Sequence, residues 1–220
     1  IFIMGPTATG KTDLALYLHE RIDCEIISLD SATVYKCMDI GTAKPDRAIS
    51  SKTPHHLIDI CEPDESYSAA RFQQDANRII NTIIKKGKIP VLVGGTGLYF
   101  RALEQGLAVL PEANSRIRAQ LEEEATETGW QALHCRLKEI DPASAARINE
   151  NDPQRIQRAL EVYEITGETL SAMLAAGRKQ AFSHPIKKIV LSPPDRSVLH
   201  ERVKQRFLAM MEAGFVAEVE

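Results

Sequence analysis

Hydrophobic and polar positions fall into two textures along the chain. Ile1 to Met4 is a short apolar run ending at Gly5, and the Gly- and Thr-rich stretch after it leads into Leu14, Leu18 and Ile22 at helical spacing. The pattern predicts a strand, a loop and a helix. Glu25 to Leu29 reads as a second strand ending at Asp30, followed by a polar stretch with Gly41 and Pro45, and His56 to Ile60 reads as a third strand. From Ser68 to Lys86 the apolar residues Phe72, Ala76, Ile79, Ile80, Ile83 and Ile84 trace one helical face, with Lys85-Lys86-Gly87 as its stop. Ile89 to Val93 is a fourth strand, closed by Gly94-Gly95-Thr96-Gly97. Alternating strands and helices predict an α/β fold, a mostly parallel sheet with helices on both faces. Such sheets bind ligands at the carboxyl ends of their strands, so the loops after the first, second and fourth strands are the places to search.

Beyond Pro111 the texture changes to helical patterns at 116–126, 130–140, 153–165 and 169–176, with no convincing strand. The third is marked by Asp152 as N-cap, Pro153 at the first helical position and Gly167 just past the end. Strand character returns at Ile186 to Leu191, and a helix is expected from Asp195. The expected organisation is a first part of the α/β core over 1–113, an all-helical insertion over 114–182 and a return to the core over 183–220. Because the chain opens inside an apolar strand and stops inside a charged helical pattern, both ends are expected to be clipped.

Composition narrows the class. With 220 residues, 44% of them hydrophobic, the chain can bury one substantial core and a second small domain. No apolar run approaches the roughly 20 residues of a membrane span, and the first residues lack a signal-type pattern, so a cytoplasmic protein with no membrane role is expected. Cys24, Cys37, Cys61 and Cys135 are scattered without metal-site or disulfide spacing and read as buried or incidental thiols. A net charge of -3 argues against a surface built wholly for nucleic acid, while leaving room for a local basic groove.

Gly5-Pro6-Thr7-Ala8-Thr9-Gly10-Lys11-Thr12 matches G-x-x-x-x-G-K-[ST] in full, between a strand and a helix. The glycines let successive backbone N–H groups turn inward, the helix start adds its positive dipole end, and Lys11 neutralises an outer phosphate. Thr12 is positioned to ligate a magnesium ion bridging phosphate oxygens. The motif does not distinguish ATP, GTP and an alkyl diphosphate. Asp30 should emerge at the sheet edge near this loop, where three roles compete: magnesium ligand, general base, or cap of a local turn. His55 and His56, being adjacent on a strand, point to opposite faces and make no metal site. Trp130 reads as a core residue of the helical part, and Lys187 and Lys188 as decoration of a strand edge.

The phosphate loop, Ser28-Leu29-Asp30-Ser31, Tyr35, Met38-Asp39-Ile40-Gly41-Thr42-Ala43-Lys44-Pro45 and His55-His56-Leu57-Ile58-Asp59 follow one another in an order that resembles the tRNA dimethylallyltransferases. The resemblance continues through Gly94-Gly95-Thr96-Gly97-Leu98-Tyr99 and Asn151 to Glu161, and so covers essentially the whole chain. It implies a P-loop NTPase-like core with a tRNA-binding helical insertion. It also implies transfer of a dimethylallyl group from dimethylallyl diphosphate to the exocyclic amino nitrogen of the adenosine 3′ to a tRNA anticodon. On this likeness Asp30 is the general base, Thr7 donates to the bridging oxygen, and Arg206, or Arg202 one turn earlier, clamps the diphosphate opposite Gly5 to Thr12. The same likeness points to Asp30, Ser31, Ala32, Thr33, Thr96, Arg118, Gln154, Arg155, Ile156, Gln157 and Arg158 as tRNA contacts. Arg155 and Arg158, three apart beside a helix start, suit phosphate binding independently of it.

The target base must leave its stack to reach Asp30, and a channel between core and insertion would let it in. Relative to the family, a segment after Glu220 with further basic and aromatic tRNA contacts is expected. A monomer is the default state. The rival is a small nucleoside or nucleotide kinase using ATP and magnesium, although Glu122-Glu123-Glu124 in the helical part would repel a nucleotide. A non-catalytic RNA-binding module is a third reading, opposed by the intact Lys11, Thr12 and Asp30.

Overall fold

The computed structural model describes residues 1–179 and 182–220; residues 180–181, within the expected helical insertion, lie outside the described ones. Two compact units form, one from Ile1–Glu104 with Phe182–Glu220 and the other from Gln105–Ala181.

In chain order the first unit begins with β1 (Phe2–Met4), α1 (Lys11–His19), β2 (Cys24–Leu29), α2 (Arg47–Lys52), β3 (His55–His56), α3 (Ala69–Lys85), β4 (Ile89–Gly94) and α4 (Gly97–Gln105). The second unit holds β5 (Leu107–Ala108), α5 (Ser115–Thr128), α6 (Trp130–Ile140), α7 (Pro142–Ala145), α8 (Pro153–Thr166), α9 (Leu170–Ala175) and β6 (Arg178–Lys179). The chain then returns with β7 (Lys188–Val190), α10 (Arg196–Glu212) and α11 (Phe215–Val219).

Among the described residues the first unit carries a parallel sheet in the order β3-β2-β4-β1-β7. Neighbouring residues on each strand point to opposite faces and enter different cores. Phe2, Ile27, Leu29 and Leu92 join Phe72, Ile80 and Ile83 of α3, while Ile3, Ile26, Val91 and Val93 pack with Ala15 of α1. The apolar runs of the strands are continuous for this reason, since both faces are covered. Ser68 caps α3, its hydroxyl accepting from the Arg71 N–H at 3.2 Å. Tyr99, at the end of the Gly94 to Tyr99 stretch, is a core residue whose ring stacks on Phe72 with centroids 4.0 Å apart.

The third strand is shorter than the expected 56–60. Leu57 and Asp59 have φ of 64° and 55°, left-handed conformations that end extended geometry after His56. The chain instead follows residues 33–36, with Asp59 N–H donating to Thr33 O at 3.2 Å and Cys61 N–H to Val34 O at 3.0 Å. The strand expected over 186–191 narrows to β7.

At the end of the sheet remote from the strands' carboxyl ends, Glu25 accepts from His56 Nε2 at 2.8 Å and from Lys86 Nζ at 3.0 Å. Burial alone would raise its pKa, but these two partners outweigh burial and hold it at about 2. A carboxylate with a depressed folded pKa stabilises the fold above its unfolded value and loses that contribution as pH falls toward about 2. Glu25→Ala is therefore expected to cost about 1–2 kcal/mol at pH 7 and to flatten the acid limb of the stability profile, as measured by urea unfolding from pH 7 to 2.

The second unit is helical around Leu121, Leu133, Leu137, Ile156 and Leu160, with Trp130 packed at the margin of that core. Its boundary differs from the expected residue 113 because β5 pairs antiparallel with β6, which draws 105–113 into this unit. Below its surface lies Glu161, with none of its side chain exposed. Its carboxylate accepts from Arg118 Nε at 2.8 Å, Arg158 Nη1 at 2.6 Å and the Asn114 N–H at 2.8 Å. No helix among the described residues is long and apolar enough to cross a membrane.

Candidate functional site

The carboxyl ends of β1, β2 and β4 bring their loops to one place. Gly5 follows β1 with φ 152°, and a Cβ there would stand 2.2 Å from Leu191 O, so only glycine lets the loop leave beside the end of β7. Gly94 closes β4 with an equally tight approach, its absent Cβ 2.0 Å from Leu29 O. Gly10, at φ 82°, starts α1 without a capping side chain, which leaves the positive end of the helix facing the loop. Inside the loop Ala8 takes φ 58°, and Thr9 Oγ1 donates to Pro6 O at 2.9 Å.

Within the first unit these loops border an open cavity of about 710 Å³, mouth included. Its cationic and polar lining comes from Thr7, Lys11, Thr12 and Arg206, with Asp30 just after β2. Ala15, Ile26 and Val93 give it an apolar floor continuous with the core under α1, and Thr42, Ala43 and Pro45 form a further wall. Arg206 Nη1 donates to Thr7 Oγ1 at 2.9 Å, while Lys11 Nζ donates to Pro6 O across the loop. Burial lowers the Lys11 pKa, the Arg206 charge lowers it further, and Asp30 opposes both. Two cations converging on a helix start make a pocket that an anion would relieve.

Asp30 Oδ1 accepts from the Ala32 N–H at 2.9 Å, so the carboxylate also shapes its own turn. Ser31 N–H donates to Thr96 Oγ1 at 3.1 Å, which ties the loop after β2 to the loop after β4. Thr33 is buried, its hydroxyl paired with Ser28 Oγ at 3.0 Å. Of the two candidate arginines on α10, Arg206 lines the cavity and Arg202 does not. Thr12 hydroxyl and the Asp30 carboxylate are hard oxygen donors on the same cavity, a set that suits magnesium shared with phosphate oxygens. Among the described residues no group of three or more His, Cys, Asp or Glu side chains forms a metal cluster.

In the second unit, Gln154 and Arg155 are exposed, Arg155 pairing with Asp152 at 3.0 Å. Ile156 has no exposed surface and packs in the helical core, so its side chain is not a contact surface; the helical period that carries Arg155 outward turns the next residue inward. Gln157 Nε2 donates to Glu122 at 2.9 Å, and Arg118 and Arg158 are held on Glu161. In the sequence, Met38 to Pro45 stands out as a stretch of family likeness. Here Lys44, nearly buried, is the brace of its loop, donating to Asp39 at 2.8 Å and Asp59 at 2.6 Å.

The family model described as IPP transferase matches residues 33–220. The tRNA dimethylallyltransferase of Nitrosococcus oceani is 55% identical over all of this chain and 70% of its own length. That of Thioalkalivibrio sulfidiphilus is 56% identical over all of this chain and 69% of its own length. Among solved structures, a eukaryotic dimethylallyltransferase acting on tRNA superposes with a TM-score of 0.79 at 29% identity, over 99% of this chain and 54% of that one. The full-length tRNA isopentenylpyrophosphate transferase of Bacillus halodurans does so at 0.61 and 39% identity, over 99% and 67%. The chain therefore belongs to the IPP transferase family.

Proposed function

We propose that this chain transfers a dimethylallyl group from dimethylallyl diphosphate to the exocyclic amino nitrogen of the adenosine 3′ to a tRNA anticodon, on a P-loop-type core with a helical insertion domain. The observation that carries the reading is one cavity lined together by the cations Lys11 and Arg206, the apolar residues Ala15, Ile26 and Val93, and Asp30. Diphosphate belongs at the loop from Gly5 to Thr12, against Lys11 and Arg206, and the allylic group on the floor. The amino nitrogen attacks the allylic carbon, the carbon–oxygen bond to diphosphate breaks, and Asp30 accepts the proton that the nitrogen loses. Thr7, oriented by Arg206, donates to the bridging oxygen as charge develops on it. Magnesium, held by Thr12 and the phosphate oxygens, would supply further neutralisation of the leaving group.

Relatives over the whole chain carry the transferase name, which favours this reading over the nucleotide kinase. For tRNA, exposed Gln154 and Arg155 and the linked turns at Ser31 and Thr96 are the proposed contacts. Incubation with labelled dimethylallyl diphosphate, ATP and unmodified tRNA is decisive. Label in tRNA is expected, whereas ADP formed with a small acceptor would establish the kinase.

Arg206→Ala should weaken binding of inorganic diphosphate by about tenfold to a hundredfold, the range of one charge-assisted contact, with Arg202→Ala within about twofold of the parent. Titration calorimetry measures both. Equal effects would remove the distinction drawn between the two arginines.

A further inference from the structure

The wall of the cavity formed by Thr42, Ala43 and Pro45 is gripped on its loop by the last helix. Consecutive backbone N–H groups of Asp39, Ile40 and Gly41 all donate to Glu218 of α11, at 2.8, 2.6 and 2.9 Å. These N–H groups form a small anion cradle, and they hold the Glu218 carboxyl below its ordinary range. Phe215, one turn earlier on α11, lies where a Cβ on Gly41 would be, 2.2 Å from its ring edge, so the absence of a side chain there admits the helix. Gly214, at φ 97°, reverses the chain between α10 and α11. Arg206 on α10 reaches Thr7, while Glu218 on α11 holds the loop that carries Thr42, Ala43 and Pro45 of the same cavity.

We propose that Glu218 is a positioning residue for the transfer reaction: by binding the N–H groups of residues 39–41 it fixes the cavity wall and seats the α10–α11 pair so that Arg206 meets Thr7. The proposal rests on the transferase reading for its catalytic readout. It acts through geometry alone, since Glu218 lines neither the loop after β1 nor the cavity floor. Lys44 braces the same loop from inside through Asp39 and Asp59, which leaves the outward N–H groups as the part that Glu218 must hold.

The test compares the parent chain with Glu218→Ala and Glu218→Gln. For Glu218→Ala, kcat/KM is expected to fall about tenfold, and amide exchange at Asp39, Ile40 and Gly41 to accelerate by a similar factor, as expected for loss of a charged acceptor. Added formate, a free carboxylate that fits the vacated cradle, should restore much of kcat/KM in Glu218→Ala and leave the parent unchanged. Glu218→Gln should fall between the two, since one oxygen acceptor remains. Activity of Glu218→Ala within about twofold of the parent would overturn the proposal. So would a loss that follows Tm and ignores formate, because that is what simple helix packing predicts. If the parent transfers no label to tRNA, the transferase reading fails by itself; faster amide exchange at residues 39–41 with weaker inorganic diphosphate binding in Glu218→Ala then supports the positioning role, and parent-like values of both overturn it.

Discussion

Asp30→Asn is expected to lower the rate of transfer by about 10²–10⁴, the usual contribution of a positioned general base, while inorganic diphosphate affinity stays within about threefold. The asparagine is the informative variant because its side-chain oxygen can still accept from the Ala32 N–H, as Asp30 Oδ1 does at 2.9 Å. The turn after β2 is thereby kept and only the proton-accepting carboxylate is lost. Asp30→Ala removes both and should be at least as slow. Single-turnover transfer to tRNA and calorimetric binding of diphosphate make the comparison. If rate and diphosphate affinity fall together, Asp30 acts on the leaving group or its metal instead. A rate preserved in the asparagine variant would reduce Asp30 to a turn-forming residue.

The second large effect concerns stability. Glu161→Ala should destabilise the helical unit by about 3–5 kcal/mol, because it leaves the guanidinium groups of Arg118 and Arg158 and the Asn114 N–H without their common acceptor. Burial opposes ionisation of Glu161, and the hydrogen bonds from Arg118 and Arg158 outweigh it, so its pKa is lowered and the carboxylate is held ionised. Urea unfolding followed by far-UV circular dichroism is the measurement, and a cost below about 1 kcal/mol would mean that the cluster is replaceable. The same cluster bears on recognition. Two arginines expected at tRNA are already bound to a buried carboxylate, so Arg155, largely exposed beside Asp152, is the freer phosphate contact.

The strands with continuous apolar runs and the long amphipathic α3 were legible because both report burial directly. The strand, loop and helix around Gly5 to Thr12 were legible because the spacing of that motif is a geometric requirement of the chain rather than a matter of composition. What escaped has physical causes of its own. Left-handed Leu57 and Asp59 end β3 early, and nothing in an apolar alternation announces a backbone sign change at a leucine. The β5 and β6 pair is too short for alternation to register. Glu161 and Glu218 sit in helical stretches where a glutamate is ordinarily solvated, and only the tertiary arrangement reveals their donors. At the cavity, Lys11, Thr12, Asp30 and Arg206 were all named from sequence, whereas the wall from Thr42 to Pro45 was visible only as a stretch of family likeness.

The strand order has a consequence for how the molecule is made. β4 lies between β1 and β2, and β7 completes the far edge of β1 only after the helical unit has been threaded. As the chain leaves the ribosome β1 and β2 cannot pair with each other, since neither is the other's neighbour, and each must wait for a later strand. Such long-range pairing is slow relative to local helix formation. The loop after β1 is thus made before both of the strands that flank β1 and takes its final shape only when they arrive.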